Sequence, residues 1–176
     1  MTNFDNNKLT LGEPRDGGMG MKFYSVDSES GPPYLKIKIS KIVFEPSVYN
    51  GTGNEPRKNI VLEISEEDAK RIEDLEQLTR IRADISPEKW TSCIRRSDTA
   101  RMKAKINMHG PRRCEFIGPK GETEPPDTLR NRPATAAVLV RGVYMQRQAS
   151  GLMVDVVALK YGEQIKVENN YIKMLI

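Results

Sequence analysis

The stretch Arg101-Met102-Lys103-Ala104-Lys105-Ile106-Asn107-Met108 alternates without interruption. Successive side chains of a β-strand point to opposite faces, so Met102, Ala104, Ile106 and Met108 share one face and Arg101, Lys103, Lys105 and Asn107 the other. The first set belongs in a core. The second repeats a cation about every 7 Å, twice the rise per residue. A strand wet on one side and apolar on the other belongs to an antiparallel sheet around an apolar interior.

The segments before it extend this sheet. Tyr34 to Phe44 (YLKIKISKIVF) is rich in β-branched residues and sets Ile37 and Ile39 against Lys36 and Lys38. Its phase then slips by one, with Ile42 and Phe44 apolar. That slip predicts a bulge, or a strand end buried on both faces, and places Phe44 in the core. A turn-rich loop at 48–58 (VYNGTGNEPRK) leads to a returning strand at Asn59–Ile64. Ser65-Glu66-Glu67-Asp68 then opens a helix over 65–82, since Ser65 can accept from a first-turn amide and acids favour the positive helix end. Ile72, Leu75, Leu78 and Ile81 read as its apolar stripe. Ser86-Pro87 repeats the start signal and predicts a short helix through Trp90 and Ile94.

After residue 108 the chain returns to strands. Arg112–Ile117 follows a His-Gly-Pro turn, and 118–133 (GPKGETEPPDTLRNRP) is a polar loop with four prolines. Ala136–Met145 and Leu152–Tyr161 flank the short connection QRQASG and read as a hairpin. Residues 1–33 are rich in Gly and Pro and read as an irregular leader with one strand near Phe23. The expected organisation is a leader (1–33), one domain (34–162) and a C-terminal strand or tail (163–176). Many short strands with one inserted helix predict a mainly β fold, an antiparallel barrel of the oligonucleotide-binding (OB) type; a β-sandwich without binding function is the alternative.

Composition narrows the function. The 176 residues are 38% hydrophobic and 30% charged, enough for one core under a solvated exterior. No apolar run approaches the ~18 residues of a membrane span, and MTNFDNNKLT is not a secretory signal. Two cysteines, Cys93 and Cys114, suit a reducing, intracellular compartment: host cytoplasm or nucleus, or a viral replication site. No phosphate-binding loop is present, because Gly17-Gly18-Met19-Gly20 lacks the downstream Lys-Ser/Thr. His109 is the single histidine, so neither a metal site nor a Ser/His or Cys/His nucleophile is expected. The reading is no enzyme, no cofactor and no metal.

Charge is segregated. Arg95, Arg96, Arg101, Lys103, Lys105, Arg112 and Arg113 stand against Asp98 alone, whereas Glu63–Glu76 holds seven acids against Lys70 and Arg71. Such a chain offers polyanions one attractive face. Arg101, Lys103 and Lys105 match the phosphate spacing of an extended single strand, with Arg95, Arg96, Arg112 and Arg113 as the groove wall and Lys36, Lys38, Arg141 and Arg147 as further contacts. Unpaired bases also need flat side chains to stack on. The candidates are Tyr34, Trp90, Phe116 and Tyr144. Tyr34 and Tyr144 are expected at the surface; Trp90 and Phe116 fit either stacking or the core.

The segment Ala137-Val138-Leu139-Val140-Arg141-Gly142-Val143-Tyr144-Met145-Gln146, followed by Gly151-Leu152-Met153-Val154-Asp155-Val156-Val157-Ala158-Leu159, resembles the closing hairpin of single-stranded DNA-binding proteins of double-stranded DNA viruses. Both the podovirus replication type and that of large nucleocytoplasmic viruses have it. The resemblance implies an OB barrel with an inserted helix, and a protein that protects single-stranded DNA in replication or recombination. Two features depart from it. The family often has Trp where Tyr144 stands, and the podovirus type ends in an acidic tail, whereas this chain reads Asn170-Tyr171-Ile172-Lys173-Met174-Leu175-Ile176. An apolar end of that kind is expected to add a strand or to bury itself in a second subunit. The expected partner is single-stranded DNA, with RNA not separated from it, and no membrane. A self-associating viral assembly protein and a metal-dependent nuclease are the rival readings.

Overall fold

A computed structural model describes residues 4–48 and 55–165. Ten strands lie among them: β1 (Thr10–Leu11), β2 (Arg15–Gly18), β3 (Met21–Asp27), β4 (Tyr34–Ile42), β5 (Arg57–Ile64), β6 (Ile94–Arg96), β7 (Ala100–Asn107), β8 (Glu115–Ile117), β9 (Ala134–Met145) and β10 (Ser150–Tyr161). One helix, α1 (Glu66–Arg82), joins β5 to β6. The pairings β9–β4–β5–β7–β10 close on themselves, because β10 also pairs with β9. That ring is the OB order of strands. It is a mixed sheet, since β10 runs parallel to both β7 and β8 while β4–β5, β5–β7, β4–β9 and β9–β10 are antiparallel.

Alternation places the core. Ile37, Ile39, Ile60, Leu62, Met102, Ile106, Val138 and Val156 are buried inside the ring, with Ala104 and Ala136 between them. The phase slip in β4 is a bulge, where Ile39 pairs with Ile64 but Lys41 with Glu63. It turns Ile42 and Val43 inward and leaves Phe44 51% exposed, so Phe44 is not a core residue.

Helix α1 starts as its sequence requires, with Ser65 Oγ accepting from Asp68 N at 3.1 Å. Its buried face differs from the expected stripe. Ala69, Ile72, Leu75, Glu76 and Thr79 are covered, whereas Ile81 is 59% exposed. A run at strict three-residue spacing falls back by about 60° per step at 3.6 residues per turn, so nine residues from Ile72 reach the opposite side. Glu76 lies only about 40° from Ile72 and is carried into the core.

The 86–94 segment is not a helix beyond one 3-10 turn (Pro87–Lys89); the chain is extended by Trp90 and enters β6. The Gly- and Pro-rich leader holds β1, β2 and β3. β3 pairs with the far half of β9, which has passed beyond β4. Gly142 permits this, since a Cβ there would stand 2.0 Å from the Tyr24 carbonyl oxygen. The polar loop at 118–133 has no helix or strand. Of the expected tail, residues 166–176 lie outside the described residues.

Candidate nucleic-acid interface

The outer face of β7 keeps the register read from its sequence. Lys103 and Lys105 are exposed and Arg101 half-buried, while Met102, Ala104 and Ile106 are buried beneath. A groove of about 560 Å³ runs over this face. Its floor is Lys103 and Lys105 with Arg57 and Asn59 of β5; one wall is the 91–93 segment with Arg95; the other is Tyr144, Gln146 and Met21, with Leu152–Val154 of β10. Four cations line it and no carboxylate does so among the described residues.

Pairing brings these groups together. Lys105 stands opposite Asn59, and its Nζ donates to Asn59 Oδ1 at 2.7 Å. Burial holds the Lys105 ammonium below its ordinary pKa, Arg57 and Lys103 push the same way, and Asp155 opposes them. Arg95 faces Arg101 directly across β6 and β7. Like charges in register repel, and Glu63, in register with Arg101 on the β5 side, offsets that repulsion. The Arg101 Nε is buried without a hydrogen-bond partner.

The far wall is held from within. Glu76, buried on α1, accepts from Ser92 Oγ at 2.6 Å and from Cys93 N at 2.8 Å. Thr91 N donates to Ser150 O at 2.7 Å, which joins the segment to the start of β10. Burial raises the Glu76 carboxyl above its ordinary pKa, against the Ser92 and Cys93 bonds that lower it. Tyr144 is half-buried, and burial raises its phenol. Gly151 leaves room for its ring, since a Cβ there would be 2.8 Å from the Tyr144 hydroxyl.

The predicted contacts separate into two groups. Lys103, Lys105, Arg95 and Tyr144 line the groove, and Arg101 extends its cationic row. Arg96 does not: its guanidinium binds Glu73 and, at 3.1 Å, Glu66 on α1. Arg113 pairs with Glu124 at 2.7 Å and fastens the 118–133 loop. Arg112 is exposed in the turn before β8, and Arg147 in the turn between β9 and β10, both outside the groove lining. Lys36 and Lys38 are exposed on β4, which β5 separates from β7.

The aromatics divide similarly. Phe116 is 2% exposed and packs in the core, so it offers no face to a base. Its alternation with Glu115 and Ile117 on β8 turns it inward. Trp90 is partly buried against the core, its Nε1 enclosed without a partner. Tyr34 is 42% exposed. It lies outside the groove on the same circumferential row, through the pairs Tyr34–Leu139, Leu139–Asp155 and Asp155–Lys105. Three strand spacings separate it from Lys105, about 14 Å.

Sequence reasoning missed Arg57, Asn59, Met21 and Gln146. The signal for the first two was present: Arg57, Asn59, Val61 and Glu63 alternate with buried Ile60, Leu62 and Ile64. Starting the strand at Asn59 left Arg57 in the loop. Arg141 is outside the groove lining, and its guanidinium pairs with Asp155, which also holds Arg57 at 2.9 Å. Among the described residues, no group of three or more His, Cys, Asp or Glu could hold a metal ion, and no helix is long and apolar enough to cross a membrane.

No family model and no curated protein matches this chain. Solved structures share its fold. A single-stranded DNA-binding protein from bacteriophage Enc34, in complex with single-stranded DNA, is similar with a TM-score of 0.58 at 10% identity, over 91% of this chain and 99% of that one. A C-terminal truncation of the Enc34 protein gives 0.56 at 11% identity, over 89% and 97%. Gp2.5, a single-stranded DNA-binding protein encoded by bacteriophage T7, gives 0.57 at 10% identity, over 78% and 95%. At such identities the likeness is one of chain path, and it agrees with the OB order of the ring.

Proposed function

We propose that this chain binds single-stranded DNA, largely without regard to sequence, as a non-catalytic protein that covers single strands during viral replication or recombination inside the host cell. The observation that carries the reading is the groove over β7: four cations, no lining carboxylate among the described residues, and one aromatic wall at Tyr144. Cations along a groove release the counterions condensed on a nucleic acid, which supplies most sequence-independent affinity. An aromatic face adds stacking that any base satisfies. The Enc34 neighbour, solved with single-stranded DNA on the same fold, supports the assignment. In this reading Lys103, Lys105, Arg95 and Arg57 contact phosphates, Arg101 extends the row, and Tyr144 stacks on a base. Tyr34 receives a strand that leaves the groove across β10 and β9.

The test is fluorescence anisotropy of labelled oligo-dT, oligo-U and a duplex of equal length over a salt series. Oligo-dT is expected to bind more tightly than duplex, with affinity falling steeply as salt rises. No binding at low salt, or an affinity indifferent to salt, refutes the proposal. Equal affinity for oligo-U makes the protein a general single-strand binder.

A further inference from the structure

Asp155 is out of place on charge alone. It is 3% exposed on the outer side of β10, in register with Lys105, beneath the groove assigned to a polyanion. Two guanidiniums close over it. Arg57 Nη2 donates to Oδ1 at 2.9 Å from β5, and Arg141 Nε donates to Oδ2 from β9. The carboxylate thus ties strands on both sides of the β7–β10 pair. Each arginine spends one edge on Asp155 and has no second acceptor among the described residues. Both remain partly exposed, with side-chain accessibilities of 41% and 30%.

We infer that Asp155 is a positioning residue for single-strand binding: it orients Arg57 and Arg141 so that their remaining N–H groups meet the phosphates of the bound strand. The inference rests on the binding reading above. A guanidinium has five donors in a rigid plane, so fixing one edge fixes the direction of the others. A side chain ordered before the ligand arrives loses less freedom on binding. The negative charge weakens the groove's attraction, and the fixed fork geometry outweighs it. Arg141, outside the groove lining, thereby becomes a further phosphate contact on the path from Lys105 to Tyr34.

The two effects of Asp155 have opposite signs, so one substitution separates them. Asp155→Asn adds one net positive charge to the site. The full chain and this variant are compared by anisotropy on oligo-dT over a salt series, with thermal melts to show that both are folded. Positioning predicts weaker binding by about tenfold, from the restored freedom of two long side chains. It also predicts a salt dependence shallower by about 0.7 to 1.4 in log–log slope, because one or two phosphates are no longer neutralised. Binding that is unchanged or tighter, with a slope steeper by about 0.7, overturns the inference. Arg141→Gln is the second variant, and its affinity and slope are both expected to fall. An unchanged slope there overturns the inference even where Asp155→Asn does not fold. Failure of the unsubstituted protein to bind oligo-dT instead refutes the binding reading itself, so the two failures remain distinct.

Discussion

The Glu76 carboxylate accepts the Ser92 hydroxyl at 2.6 Å, and through this bond the buried face of α1 holds one wall of the groove. The Cys93 amide shares the same carboxylate. Glu76→Ala would leave both donors without an acceptor in a half-buried segment. The expected loss is about 3 kcal/mol, at 1–3 kcal/mol for each unsatisfied group. A thermal melt should fall by about 6–12 °C for a chain of this size.

Glu76 also sets a pH dependence. Its carboxyl is raised by burial, so the folded state holds its proton more tightly than the unfolded chain. That contribution to stability is complete below the unfolded pKa of 4.5 and is lost as pH rises through the folded value. Glu76→Gln keeps an acceptor and cannot titrate. Its melting-temperature deficit relative to the unsubstituted chain should therefore be larger at acid pH and shrink as pH rises. A deficit that grows with pH contradicts the burial argument.

Along the cationic row, Lys103→Ala, Lys105→Ala and Arg95→Ala should each weaken oligo-dT binding and lower the salt slope by about 0.7. Arg96→Ala should leave both unchanged, because Glu66 and Glu73 already occupy that guanidinium. Lys105 adds a signature of its own. A phosphate favours its charged form, so affinity is full below its depressed pKa and declines as pH rises through it. Lys105→Arg should remove that decline.

Tyr144→Ala should weaken oligo-dT binding about tenfold, within the 1–3 kcal/mol of one stacked base, at nearly constant salt slope. Tyr144→Phe should retain the affinity. Phe116→Ala should act on stability instead, costing about 3–5 kcal/mol as a buried aromatic removed from the core. Loss of oligo-dT affinity from a folded Phe116→Ala protein would contradict its placement.

Thiol chemistry offers a check on packing. Both cysteines are free. Burial pushes the Cys114 thiol up to about 12 and raises that of Cys93, with Glu76 adding to the latter. The thiolate is the reactive form, so both should label slowly with a disulfide reagent at pH 8 and fast in denaturant. Rapid labelling of Cys114 in the native protein would place it outside the core. Because its folded pKa is raised, Cys114 contributes stability that is present below pH 9.0 and lost as pH rises towards 12.

Local pattern determined the long strands of the ring and the face each one buries, while β1, β2 and β6 were not legible in it. The alternation of Arg101–Met108 sent Met102, Ala104 and Ile106 inward and Lys103 and Lys105 outward, and the slipped phase before Ile42 became a bulge. Those outcomes depend on the two-residue period of a strand, which sequence states directly. The helix start was equally legible, since a cap is made by residues three positions apart.

What the tertiary structure decided is which outward groups share a groove. Lys36 and Lys105 carry the same signal in sequence, yet β5 separates their strands. Arg96 and Arg95 are neighbours in the chain, but alternation on β6 points one at the acids of α1 and the other into the groove. Tyr144 and Phe116 were both aromatics among basic residues, and only the packing of β8 against β10 buried the second. Asp155, unremarkable in a run of valines, acquired two arginines from strands 98 and 14 residues away. Partners at such separations are fixed by the order and register in which strands close a ring, and no local period encodes that order.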